Sequence, residues 1–181
     1  LVAVDLLAQA EHGPGGAAVL ITWSEQLAGA VDEWVTKLLH DAPRRVEIER
    51  GLHDGGRSVL VDGPDAAMEV ANAIAPEHLE LMTADPASLV SLVRNAGAVF
   101  CGTSSPAVVG DYVAGVNHVL PTGRTARFAS ALRVDDFRKH VHVVTVDDAA
   151  LQRITPYIEA LARVEGLPEH GRSVSLRQHR P

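Results

Sequence analysis

The chain has 181 residues and a mass of 19.2 kDa, the size of one domain or of a domain with a small appendage, and enough to bury a core. With 46% hydrophobic and 22% charged residues, 15 Gly and 10 Pro, wholesale disorder is excluded. A net charge of -7 without a Lys/Arg block excludes the basic footprint of a nucleic-acid-binding protein. No apolar run approaches the roughly 18 residues of a spanning helix, and the opening residues carry Asp5 and no basic cluster. Neither membrane anchor nor signal peptide is expected, and a cytoplasmic protein is. The single cysteine, Cys101, leaves no internal disulfide and no thiolate cluster, so any metal must be held by nitrogen and oxygen.

The chain opens on Leu1 in what reads as a helix already under way, with Val2, Leu6 and Ala10 at helical spacing until the Gly13-Pro14-Gly15-Gly16 stop; a missing upstream portion is expected. Ala17 to Ile21 reads as a short buried strand. Thr22 with Glu25 predicts a capping box, followed by a helix striped by Leu27, Val31, Trp34 and Leu38 that ends before Pro43. Arg44 to Leu52 is a weaker helix, Ser58 to Asp62 a strand, Pro64 to Ala73 a helix with Pro in its first turn, and Leu79 to Met82 a strand. Pro86 to Asn95 reads as a helix with Gly97 as its terminal glycine, and Ala98 to Cys101 as a strand.

This alternation predicts an α/β fold, a mostly parallel sheet flanked by helices in an incomplete Rossmann-like arrangement. From Gly102 to Ala131 the chain is polar and loop-rich, and it follows a strand end, where open α/β sheets place ligands. Val134 to His140 then suggests a short helix, Val141 to Val146 a strand, and Ala149 to Val164 an amphipathic helix closed by Gly166. The expected division is an α/β domain over 1–132 and a C-terminal helical arm over 133–181. Its polar, basic tail from Pro168 to Pro181 must pack on something else, such as a partner subunit.

Four small groups carry chemistry-bearing side chains. Gln9 and His12 share a helix face three residues apart, where both can reach one ion, although such a pair is more often a solvated helix end. Glu77-His78 sets a carboxylate beside an imidazole, two groups able to exchange protons near neutrality if a turn brings both to one cavity. Gly110-Asp111-Tyr112 and Asn117-His118 lie in the polar segment, where Asp111 offers a cation ligand and Asn117 and His118 offer donors to a polar substrate. Glu165 and His170 lie near the tail. Together Gln9, His12, Asp111 and His170 amount to two nitrogens and two oxygens, a set that suits zinc, although their spacing does not show that they converge.

Taken as words, Asp5-Leu6-Leu7-Ala8-Gln9-Ala10-Glu11-His12, Ala75-Pro76-Glu77-His78-Leu79-Glu80-Leu81, Gly110-Asp111-Tyr112, Asn117-His118-Val119-Leu120-Pro121-Thr122-Gly123, Thr125-Ala126-Arg127-Phe128, and Glu165-Gly166-Leu167 with His170 resemble the histidinol dehydrogenase family, in order and over essentially the whole chain. The likeness is to the C-terminal portion of the family's longer polypeptide. It implies a zinc- and NAD-dependent cytoplasmic homodimer of histidine biosynthesis that oxidises L-histidinol through L-histidinal to L-histidine. By the resemblance, Gln9, His12, Asp111 and His170 are the zinc ligands, with His170 lent across the dimer. His78 is the general base, Glu77 activates water for the second oxidation, His118 contacts substrate, and Glu165 of the neighbouring subunit adds an acidic contact.

Alternatives are a related dehydrogenase for another small alcohol, or a silent dimerisation or scaffold fragment. The departures from the family are Arg124 for a small residue, which adds a bulky cation beside the substrate loop, Ala107 for a glutamate, and Ala131 for a glycine, a site of strain if its φ is positive. No Gly-x-Gly-x-x-Gly word follows a strand. The family's nucleotide contacts lie mostly upstream, and these residues by themselves are expected not to turn over.

Overall fold

The computed structural model describes residues 1–13 and 15–178; Pro14 of the glycine-rich stop and the end of the tail, 179–181, lie outside the described residues. Two compact units divide the chain, Leu1–Phe137 and Arg138–Pro181.

In the first unit, α1 (Val2–Ala10) buries Ala3, Leu7 and Ala10, the stripe expected of an amphipathic helix. It packs on β1 (Ala18–Thr22), whose alternate residues Ala18, Leu20 and Thr22 are buried. Helix α2 (Glu25–His40) follows, then α3 (Arg45–Gly55) and β2 (Gly56–Leu60), which pairs in parallel with β1 from Ala18↔Gly56 to Thr22↔Leu60. Helix α4 (Pro64–Ile74) leads into β3 (His78–Leu81), and after the short α5 (Pro86–Val90) comes β4 (Ala98–Cys101), parallel to β3 from His78↔Ala98 to Leu81↔Cys101. The parallel strands and flanking helices are those of an α/β fold, but the sheet is split into two pairs, β1-β2 and β3-β4. Met68, Leu81 and Leu89 form the core between α4, β3 and α5. Beyond β4 lie α6 (Ala107–Tyr112) and two single 3-10 turns, Thr125–Arg127 and Val134–Phe137.

In the second unit, α7 (Asp148–Glu165) is capped by the Asp147 carboxylate on the Ala150 amide, and α8 (Pro168–Gln178) follows. Gly166, at φ 70°, ends α7, and Leu167 N–H donates to Ala162 O at 2.8 Å, the left-handed helix stop that glycine makes cheaply. The two helices meet at Ala162 and Gly171. Among the described residues no helix is long and apolar enough to cross a membrane.

Several expected elements shift. Ser24, not Thr22, caps α2, its hydroxyl accepting from Leu27 N–H at 3.2 Å while Thr22 Oγ1 accepts from Ser24 N–H. Thr22 is taken up by the strand. Strand β2 begins two residues early. Helix α5 stops at Val90 instead of Asn95, because the buried Asn72 side chain accepts from the amides of Arg94 and Asn95 and donates to Leu92 O, fixing that stretch as a loop. The expected strand Val141–Val146 is irregular, with Val141, Val143 and Val144 exposed; an alternating pattern without a pairing edge gains too little to order a strand. Gly97 does not end a helix. It lies where strand entry meets the Glu77 backbone.

Candidate active site

The site is built on β3 and α6. Alternate residues of a strand face one way, so His78 and Glu80 both look toward α6. Glu80 Oε1 accepts the Ala107 amide at 2.7 Å, and His78 Nε2 lies 3.6 Å from Asp111 Oδ1. The match is metric: two strand residues advance about 6.6 Å, and the four helical residues from Ala107 to Asp111 rise about 6 Å. Glu80 thus fixes the start of α6 so that Asp111 comes to His78.

His118, in the loop after α6, closes the group. Its Nδ1 lies 3.3 Å from Asp111 Oδ1, and its ring stacks on His78 at 5.6 Å between centroids. Phe100 meets the His78 ring edge-on at 5.8 Å. One potential metal-ligand atom from each of Glu77, His78 and His118 lies within 4.8 Å of the other two. The side chains of His78 and Asp111 are 15% and 21% exposed, yet His78 Nε2 and Asp111 Oδ1 are buried without a hydrogen-bond partner. Buried polar atoms left unsatisfied are costly, and here both point into one cluster.

A cavity of about 730 Å³ opens beside it, lined by His78, Phe100, Cys101, Val109, His118 and Leu132 among others, ample for a small polar substrate. The cavity runs along β4 from Gly97 to Cys101, and most of its lining, Ser105, Val109, Gly110, Asn117 and His118 among it, comes from the polar segment that follows that strand.

Gln9 and His12 lie at the end of α1, with Asp5 on the same face by their i, i+4, i+7 spacing. Burial raises the carboxyls of both Asp5 and Glu80, and the charge of Asp5 raises Glu80 further against the lowering by the Ala107 amide. The charges of Asp5 and Glu80 are therefore coupled. His12 Nδ1 lies 3.3 Å from Gln9 O; that bond leaves the lone pair of Nε2 for a ligand, the orientation metal-binding histidines adopt. Glu165 ends α7 and His170 lies in α8, both exposed in the second unit.

Sequence reasoning missed Glu80, although the His-Leu-Glu-Leu alternation that sets it beside His78 was a usable signal. It also mistook Arg124. The Arg124 guanidinium donates to Ala73 O at 2.9 Å, and Arg127 donates to the same oxygen, satisfying a terminal carbonyl of α4 where the helix dipole favours cations. Arg124 itself sits at φ 69°, a conformation costing a non-glycine residue about 1 kcal/mol or more. Ala131 is not among the residues at positive φ, and the strain falls on Arg124 and Ala75. Arg124→Gly is expected to be more stable than Arg124→Ala by about 1 kcal/mol, since both lose the bond to Ala73 and only glycine relieves the backbone; thermal melts of the two variants decide it.

Asp5 and Glu80 also set a pH dependence. Their folded-state values lie above their unfolded ones, so between the two the native state holds more protons. Their stabilisation is complete below about pH 4 and is lost as pH rises through the raised values. Glu80→Gln keeps an acceptor for Ala107 and removes the titration. Its melting temperature is expected to equal or exceed that of the parent at pH 7 and the excess to vanish below pH 4.

A parallel α/β frame thus gathers two carboxylates, of Glu77 and Asp111, and two imidazoles beside one cavity. The sequence profile of the histidinol dehydrogenase family matches residues 1–178, and the chain belongs to that family. It is 51% identical over 177 residues to histidinol dehydrogenase of Moorella thermoacetica, covering 98% of this chain and 42% of that protein. To histidinol dehydrogenase 2 of Trichormus variabilis it is 48% identical, covering 97% and 41%. The crystal structure of histidinol dehydrogenase from Elizabethkingia anophelis superposes with a TM-score of 0.86 at 35% identity, over 97% of this chain and 40% of that one. The chain thus spans about two fifths of the length of its curated relatives.

Proposed function

We propose that this chain is the portion of a histidinol dehydrogenase that holds the acid–base residues for the two-step oxidation of L-histidinol to L-histidine, as part of a homodimer. The observation that carries the reading is the convergence of Glu77, His78, Asp111 and His118 beside a cavity that His78 and His118 line. In the first oxidation the substrate hydroxyl loses its proton to the His78 imidazole as a hydride leaves the same carbon. Imidazole suits this role because it exchanges protons near neutral pH. Glu77, adjacent in sequence and close in space, takes a proton from water as that water adds to the aldehyde, giving the hydrate that loses the second hydride. Asp111 and the stacked His118 hold the His78 ring in place.

A zinc ion fits the residues present. Asp111 Oδ1 is a buried acceptor without a donor, and His12 is oriented through Nδ1; Gln9, His12 and Asp111, with His170 of a second copy, would hold it. Bound there, zinc supplies a Lewis acid that orients the substrate's imidazole and amino groups. The apolar surface of Tyr157, Leu161 and Val164 on α7 supports residues 133–181 as the dimerisation arm that lends His170 and Glu165. The turns after β1 and β2, Trp23-Ser24 and Val61-Asp62-Gly63, carry no Gly-x-Gly-x-x-Gly, and on this reading the hydride acceptor is held mostly by the upstream portion of the family's polypeptide, as the resemblance implies.

The test is NADH formation from L-histidinol with zinc present, by this chain alone and mixed with the remaining portion of the Moorella relative. No turnover alone and turnover on mixing are expected. A mixed complex that forms and shows no histidinol-dependent NADH overturns the reading.

A further inference from the structure

We propose that Phe100 is a positioning residue for the oxidation: through its contacts with His78 and Gly110, its ring sets the base on β3 against the Asp111 carboxylate on α6. The proposal rests on the functional reading above for what His78 does, and on packing for how it is held. Glu80 and Phe100 are register partners across β3 and β4, and both meet α6. Glu80 takes the Ala107 amide. The tip of the Phe100 ring lies so near Gly110 that a Cβ there would stand 2.7 Å from Phe100 Cζ and 2.8 Å from Cε1. Ala107, Gly110 and Asp111 share one helix face by their i, i+3, i+4 spacing, so the face that carries the carboxylate is the one that lies on these two strands.

The contacts form a closed circuit. Phe100 meets the His78 ring at 5.8 Å with an interplanar angle of 61°. Buried Gly110 lies against Phe100, Asp111 follows it in the chain, and Asp111 Oδ1 returns to within 3.6 Å of His78 Nε2. Among the described residues no hydrogen bond holds His78 Nε2, so the angle of the imidazole is left to its ring neighbours, Phe100 at the edge and His118 in the stack. An edge-to-face aromatic pair has a preferred geometry that an aliphatic side chain does not impose. Such an angle matters to a proton acceptor, because misplacing a reacting group by about 1 Å can cost about 10²-fold in rate.

Two measurements test this. Steady-state NADH formation from L-histidinol is followed in the complex of this chain with the rest of a family-length enzyme. The carbon-bound ring protons of His78, assigned by their absence in His78→Ala, are followed by NMR in the chain itself. Phe100→Leu is expected to lower kcat by about tenfold or more with KM little changed, and to broaden or double the His78 ring signals. Phe100→Leu/Gly110→Ala returns a methyl to the vacated space. Its urea midpoint should recover while kcat and the His78 signals stay as in Phe100→Leu, since no aromatic edge is restored; should Phe100→Leu not fold, the double variant carries both readouts. Turnover that returns with stability, a Phe100→Leu kcat within about twofold of the parent, or His78 signals that stay single and narrow in the variants each overturn the proposal. A parent complex that forms and yields no histidinol-dependent NADH sinks the functional reading, and the His78 signals then decide the positioning by themselves.

Discussion

His78→Ala, introduced into the complex of this chain with the rest of a family-length enzyme, is expected to lower histidinol oxidation by about 10²–10⁴-fold, the range that a positioned acid–base group contributes. The substitution removes the ring that faces Asp111, stacks on His118 and lines the cavity, without disturbing the strand's buried Leu81. The loss should therefore appear in turnover while the fold persists. Glu77→Gln separates the two oxidations. With water activation weakened, consumption of supplied histidinal should slow more than that of histidinol, which rapid-quench analysis of the bound carbonyl would detect. If His78→Ala oxidises histidinol within tenfold of the parent, the assignment of the base is wrong.

Gly97→Ala is the second large effect, and it acts through backbone. An alanine Cβ there would meet Glu77 O at 2.6 Å and Pro121 Cδ at 3.2 Å. The same stretch is stitched by Gly97 N–H to Pro76 O at 2.9 Å and Ala98 N–H to Glu77 O at 2.8 Å. The methyl must part the strands where Glu77 and His78 are presented. Overpacking of this kind costs about 1–3 kcal/mol, read as a lower urea midpoint with unchanged slope, with activity falling alongside. Gly63→Ala is the control: its backbone is extended and an added Cβ meets nothing within 4 Å, so its midpoint should barely move.

What could be read in advance was local. Ala98–Cys101 is a strand with the bounds expected, and the Gly166 stop and the helices α2 and α7 follow from periodicity, although of the α2 stripe only Val31 is buried while Leu27, Trp34 and Leu38 stay exposed. What escaped was set at a distance. The end of α5 is decided by Asn72, about twenty residues earlier in the chain. The orientation of Arg124 is decided by an orphan carbonyl on α4. The pairing edge that Val141–Val146 would need is not among the described elements of its unit. A pattern of residues states which face is apolar and not which neighbour will cover it.

The two links between β3 and α6 have a consequence for change in chain length. Both depend on a strand step of two and a helical step of four keeping time with each other. Inserting or deleting one residue between His78 and Glu80 turns one of the two to the opposite side of the sheet. Natural or engineered variation should therefore leave this interval unbroken even where nearby loops grow or shrink, because an indel here parts His78 from Asp111 or Glu80 from the Ala107 amide without having to unfold the chain.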